Sequence, residues 1–265
     1  MRKLSLAGAM IAALYVALCV AVRVLYPVFI YSPPSTAIVE APVGAELLRL
    51  RASDGVETQA LWFPPTPGER VIAYFHGGGG SIASDVPLGS WLHQQHFGVL
   101  LVEYRGYGGV AGAHPSEPGL YADADAALDE IARRGVPAAR VALWGYSLGT
   151  GVAAEMAARG RGSALVLVAP FTSIVDVAQH RAPWLPMRLL LPNQFDTLAK
   201  VTRIRVPTLI VHGDRDGEIP FAEGRTLADA IPSARFLPIA SAGHEDVYDR
   251  GGAALFGAAF DVCRH

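Results

Sequence analysis

Lysine and cysteine are nearly missing from this chain of 265 residues. Only Lys3 and Lys200 are lysines among 22 basic side chains, and no S-x-x-K occurs, so a serine-lysine dyad has almost no material to use. Cysteine occurs twice, as Cys19 and Cys263, which excludes a disulfide framework and a four-cysteine zinc site. A basic excess is missing as well: 22 basic against 24 acidic side chains leave a net charge of −2, unlike a nucleic-acid binder. The 28 glycines and 19 prolines follow no G-X-Y period, which argues against collagen and suits a fold with many tight turns. No repeat of about 20 to 50 residues is present, so solenoids and propellers drop out. What is abundant is apolar surface, 51% hydrophobic against 17% charged, enough for one large globular domain.

That apolar excess is concentrated at the amino end. Residues 4–22 contain nothing more polar than Ser5 and Gly8, with Arg2 and Lys3 before them and Arg23 after. As a helix this run is about 28 Å long, near the thickness of a bilayer core. Tyr26, Phe29 and Tyr31 then suit a membrane interface. The run is read as an uncleaved anchor over residues 1–31, with the amino terminus cytoplasmic and the rest outside. The alternatives are a signal peptide, cleaved to release a secreted protein, and a helix buried in the domain. A signal usually has a shorter apolar core and a small-x-small end, and in Val16-Ala17-Leu18-Cys19 the bulky Leu18 stands where a lipoprotein signal needs a small residue. Residues 1–31 hold three of the 22 basic groups and no acid, so the remainder carries 19 against 24, a net of −5. Attachment therefore depends on the helix and not on a polybasic face.

Past Ser32-Pro33-Pro34, short β-branched runs alternate with segments of helical period. Strands are predicted over 46–52, 58–63, 71–75, 99–104, 140–144, 164–169, 208–212 and 234–239, and helices over 85–96, 117–134, 148–159, 221–231 and 245–260. Runs such as Val71-Ile72-Ala73-Tyr74-Phe75 are apolar at every position and read as strands covered on both faces. The pattern predicts an α/β fold over 32–265, with an antiparallel hairpin leading into a mostly parallel eight-stranded sheet. The proline-broken stretch near 171–203 reads as a small helical cap, or else an irregular surface excursion.

Gly145-Tyr146-Ser147-Leu148-Gly149 lies between a predicted strand and a predicted helix. A G-x-S-x-G alone is a weak signal; at a strand-to-helix turn it lifts the serine hydroxyl clear of the sheet, beside unpaired helix N–H groups. A serine needs a base, and the base an orienting acid. His244 lies in the loop after the last strand, and Asp214 and Asp216 lie just past the strand before it. We select Asp216 as the acid and His244 as the base. Asp214 reads as a turn cap or a partner of Arg215. His76-Gly77-Gly78-Gly79-Gly80 follows a strand and reads as half of an oxyanion hole. A competing reading takes Gly78-Gly79-Gly80-Ser81-Ile82-Ala83 as a dinucleotide motif with Glu103 as its ribose acid, although two strands precede it. His93 and His96 lack partners for a metal set, and neither a metal nor a cofactor is expected. Tyr104-Arg105-Gly106-Tyr107-Gly108 reads as a pocket wall or as a turn anchored by Arg105, and Trp184 to Leu191 as an apolar cover for the site or for the sheet.

With these residues located, the chain resembles the α/β-hydrolase superfamily, nearest the membrane-anchored branch that includes α/β-hydrolase-domain depalmitoylases and serine aminopeptidase-like hydrolases. The resemblance runs from Tyr31 to the end. It rests on Glu103-Tyr104-Arg105-Gly106-Tyr107-Gly108, Pro115-Ser116-Glu117-Pro118-Gly119-Leu120, Gly145 to Gly149, Ala169-Pro170-Phe171-Thr172-Ser173, Phe195-Asp196-Thr197-Leu198, His212 to Pro220, and Gly243-His244-Glu245-Asp246. It implies Ser147 as nucleophile, Asp216 as acid, His244 as base, and the Leu148 and Gly78 amides as the oxyanion hole. Relatives often have His-Gly-Asn where this chain has four glycines, a pattern nearer lipases and carboxylesterases. The expected activity is hydrolysis of a small-molecule or lipid-like acyl ester, with thioesters a lesser class, and with a serine aminopeptidase-like amide hydrolase and a non-catalytic binding protein as the alternatives.

Overall fold

The computed structural model describes residues 2–34, 40–108 and 113–264, with side chains from Ala7 onward, so the Arg2 and Lys3 side chains lie outside the described residues. In chain order the elements are α1 (Arg2–Ile30), β1 (Glu46–Arg51), β2 (Glu57–Phe63), β3 (Val71–Phe75), α2 (Ile82–Gln94), β4 (Gly98–Val102), α3 (Glu117–Arg133), β5 (Val141–Tyr146) and α4 (Leu148–Ala158). They continue with β6 (Ala164–Val168), α5 (Ile174–Arg181), α6 (Met187–Leu190), β7 (Thr208–Gly213), α7 (Phe221–Ala230), β8 (Ala234–Ile239) and α8 (Val247–Arg264). The eight strands form one sheet in the order β1-β2-β4-β3-β5-β6-β7-β8. β1 and β2 are antiparallel, β2 meets β4 antiparallel, and every later pairing is parallel.

The all-apolar strands are buried on both faces. In β3, Val71, Ala73 and Phe75 join the core with Leu120 of α3, Val152 of α4 and Leu227 of α7, while Ile72 and Tyr74 join the core with Leu92 of α2 and Leu255 of α8. Each fully buried Leu, Ile or Phe contributes about 2 kcal/mol of transfer free energy. Two cores back to back hold the sheet rigid, so the parallel strand ends present fixed positions to their loops.

α2 starts three residues before the expected position because Ser81 caps it: its hydroxyl accepts from Ser84 N, and the Ser84 hydroxyl accepts from Ser81 N. Arg105 anchors the turn after β4, as one of its two readings holds, with its guanidinium on Asp123 and Asp54.

The segment between β6 and β7 forms the cap, with α5, α6 and a 3-10 turn over Leu198–Arg203. Lys200 ties that turn down, its ammonium 3.1 Å from Glu155 and 2.6 Å from the Tyr121 hydroxyl. α1 runs unbroken through Pro27, and its stretch Ala7–Ile30 is long and apolar enough to cross a membrane. One face of its second half packs on the cap. Tyr26 is buried with Val175, Leu185, Met187, Leu190 and Leu191, beside the partly buried Cys19, Val22 and Ile30.

Candidate functional site

Ser147 occupies the sharp turn between β5 and α4, with φ 50° and ψ −120°, a region that costs a non-glycine residue about 1–3 kcal/mol. The surroundings enforce it. A Cβ at Gly145 would collide with the Gly149 carbonyl, and one at Gly149 with the Phe75 carbonyl, so the helix passes too close to the strands for any side chain there. Ser147 N donates to Val168 O at 2.9 Å, tying the turn to the neighbouring strand.

His244 follows β8 and lies 2.9 Å from the Ser147 hydroxyl through Nε2. Its backbone is held because the Tyr146 hydroxyl donates to His244 O at 3.1 Å. On its other side, Nδ1 donates to Asp216 Oδ2 at 2.8 Å. Asp216 follows β7, and its second oxygen accepts from the amides of Glu218 and Ile219, both at 2.8 Å. His212, the strand-end histidine of β7, is a further neighbour, its Nε2 3.3 Å from Asp216 Oδ2. Asp214 has a different job: its carboxylate accepts from Ser241 N at 2.6 Å and ties the two loops together.

The electrostatics follow from these partners. Burial opposes charge on Asp216, but hydrogen bonds from His212 and His244, the His244 charge and the Ile219 amide outweigh it and hold the carboxyl well below its usual range. Burial likewise opposes charge on His244. The Asp216 hydrogen bond and charge, with Glu218 and Glu245 adding to them, leave its pKa raised.

The glycine loop after β3 lies beside Ser147. Gly77 O accepts from Gly80 N at 3.0 Å and from His76 Nδ1 at 2.8 Å. In a planar trans peptide the N–H points opposite to the carbonyl, so fixing Gly77 O also fixes the direction of the Gly78 N–H. Gly78 O in turn accepts from Ser32 N and the Tyr107 hydroxyl, both at 2.9 Å. Leu148 opens α4, so its N–H has no partner within the helix. Gly78, Leu148, Ser147 and His244 all line one cavity.

His76 is fully buried with an acceptor at each ring nitrogen, Gly77 O and, at 2.9 Å, Glu103 Oε1. Burial disfavours its charge, but Glu103 prevails and the pKa is raised. Glu103 also accepts from Ile82 N at 3.2 Å. Its carboxylate is therefore committed to the glycine loop and the start of α2 rather than to a ribose, against the dinucleotide reading. His93 and His96 take separate partners, Phe97 O and Glu69.

The cavity holds about 840 Å³, within the usual range for small-molecule sites. Met187 and Leu191 of the cap line it, while Trp184 and Leu189 stay exposed. Glu218, His244 and Glu245 bring ligand atoms within 4.8 Å of one another. Both His244 nitrogens already face Ser147 and Asp216, so the group acts as a negative rim on the cavity and is poorly arranged to hold a metal.

A family model described as serine aminopeptidase S33 matches residues 66–194. The uncharacterized protein Rv2307c of Mycobacterium tuberculosis is 34% identical over 225 residues, covering 82% of this chain and 79% of the relative. YfhR of Escherichia coli is 29% identical over 240 residues, covering 83% of each. Among solved structures, an esterase of Pyrococcus furiosus aligns with a TM-score of 0.72 at 16% identity, over 88% of this chain and 98% of that one. A puromycin-hydrolyzing peptidase of Mycobacterium tuberculosis aligns with a TM-score of 0.71 at 20% identity, over 85% of this chain and 40% of that one. At such identities the structural likenesses show the fold.

Proposed function

The chain belongs to the α/β-hydrolase superfamily, matching its serine aminopeptidase S33 family, and from that premise we propose that it is a serine hydrolase cleaving carboxylic esters, with thioesters a lesser class, through an acyl-enzyme. The observation that carries this reading is the continuous hydrogen-bonded run from Ser147 through His244 to Asp216, at 2.9 and 2.8 Å. Ser147 Oγ attacks the ester carbonyl while His244 Nε2 takes its proton. Asp216 holds the imidazole and stabilises its charged form. The Leu148 and Gly78 amides receive the developing oxyanion. The alcohol leaves with the proton from His244, and water then repeats the sequence to release the acid.

Ser147→Ala is expected to lower hydrolysis of short p-nitrophenyl esters by roughly 10⁴-fold or more and to abolish labelling by a fluorophosphonate probe. Equal labelling of wild type and variant would defeat the assignment and favour a non-catalytic binding protein on the same fold.

An amide-cleaving reading draws on Glu218 and Glu245, whose charges at the rim suit an ammonium group. Faster turnover of aminoacyl arylamides than of acyl esters would replace the ester reading with this one. Residues 1–31 serve as the anchor and 32–265 as the catalytic unit, with the amino terminus cytoplasmic. Protease added outside intact cells should then reach the catalytic unit while leaving a membrane-held amino-terminal fragment.

A further inference from the structure

The anchor helix reaches the site itself. Val22, Tyr26, Phe29 and Ile30 of α1 line the same cavity as Ser147 and His244. The helix does not simply end where the domain begins. The Tyr15 hydroxyl donates to Trp184 O at 2.9 Å, and Asn193 Nδ2 donates to the Tyr26 hydroxyl at 2.8 Å. From residue 15 to residue 30 is about 22 Å of helix. The cap is therefore packed along the second half of the very stretch, Ala7–Ile30, that is long and apolar enough to cross a membrane.

A bilayer that receives α1 thus receives part of the cap with it. The outward residues agree: on the cap Trp184 is 61% and Leu189 82% exposed, and on α1 Val24 and Val28 are each 66% exposed. Large apolar side chains grouped beside a helix of this kind mark a lipid-facing surface. Arg23 is exposed one turn before Tyr26, and its long side chain can reach the headgroups, which places Tyr26 to Ile30 near the interface.

We propose that α1 is one wall of the acyl-binding channel, and that the substrate is a neutral long-chain ester drawn directly from the bilayer. This rests on the Ser147 reading above. The acyl chain lies along Val22, Phe29 and Ile30 of α1 and Met187 and Leu191 of the cap, with its carbonyl at Ser147. The bond from Ser147 Oγ to the acyl carbon forms as the ester C–O bond breaks, and the alcohol departs with the proton taken by His244. Water then releases the fatty acid. Glu218 and Glu245 at the rim disfavour an anionic leaving group, which selects neutral esters over acidic phospholipids.

The full-length chain in phosphatidylcholine vesicles tests this, with p-nitrophenyl palmitate in the bilayer and p-nitrophenyl butyrate in the water. Each methylene kept out of an apolar site costs about fourfold. Val22→Trp and Phe29→Trp, which fill the channel, should lower the palmitate-to-butyrate ratio of kcat/KM at least tenfold. Val24→Trp, on the side of α1 away from the cavity, should leave that ratio within twofold. A ratio unmoved by both channel variants, or a wild type that prefers butyrate, overturns the proposal. If a variant misfolds, wild type labelled with a hexadecyl fluorophosphonate bearing a terminal diazirine gives the same answer: light should crosslink it to residues 15–30, and crosslinks found only elsewhere refute the channel. Hydrolysis surviving in Ser147→Ala would bring down the nucleophile assignment, whereas Ser147-dependent hydrolysis indifferent to α1 would bring down this inference alone.

Discussion

His244 is under two opposed influences. Burial presses its imidazole toward neutrality, while Asp216, Glu218 and Glu245 draw a proton onto it, and the acids prevail. A raised pKa keeps the base protonated to a higher pH, so the acid limb of kcat/KM should have its midpoint above 6.5, the ordinary histidine value. Asp216→Asn removes the main upward influence. The midpoint should then move down, and kcat should fall by roughly 10⁴-fold because the imidazole loses its orienting acceptor. A pH–rate profile of both proteins checks this. Asp85, between the cavity and the α2 side of the sheet, poses the reverse problem. Burial pushes its carboxyl up to about 6, and one of its oxygens has no hydrogen-bond partner among the described residues. Its contribution to stability is present below the ordinary value of 3.8 and is lost as pH rises through about 6. Asp85→Asn should therefore stabilise the protein at pH 8, on the order of 3 kcal/mol, and leave it nearly unchanged at pH 3, as read from urea unfolding.

The turn from β5 to α4 works as an element only because two glycines let helix and strands touch. Gly149→Ala should force its methyl against the Phe75 and His76 carbonyls, costing about 3 kcal/mol or more and displacing Ser147. A lowered Tm with loss of fluorophosphonate labelling is the expected result. At this scale the sequence was readable wherever its signals are local. The all-apolar runs became strands within a residue or two, and Ser147, Asp216 and His244 stood out because each follows a strand. The start of α2 was misplaced because a Ser81–Ser84 box lacks the usual Glu or Gln at its third position. The His76–Glu103 pair was not readable, since these residues are 27 apart and meet only because β3 and β4 are neighbours in the sheet. Asp216, selected over Asp214 from the sequence, is the carboxylate that meets His244, while Asp214 holds a backbone amide of the loop after β8. The α1 wall was missed because an apolar helix reads the same whether lipid or protein lies against it.

In the whole molecule, α1 and the α/β domain are joined by more than a tether. Ser32, just past α1, donates its amide to Gly78 O, and the Ile30 carbonyl fills the space where a Gly78 side chain would lie. A chain cut to begin at Pro33 should still fold, because the two sheet cores draw little from α1. Its glycine loop would lose one of the two donors that hold the Gly78 carbonyl. We expect kcat on a water-soluble ester to fall about tenfold, measured against the full chain in detergent. The contact between Ser32 and Gly78 also bears on how such a protein is screened. A truncated, easily purified version would report a sluggish enzyme, and inhibitors ranked on it would be ranked against a loosened site.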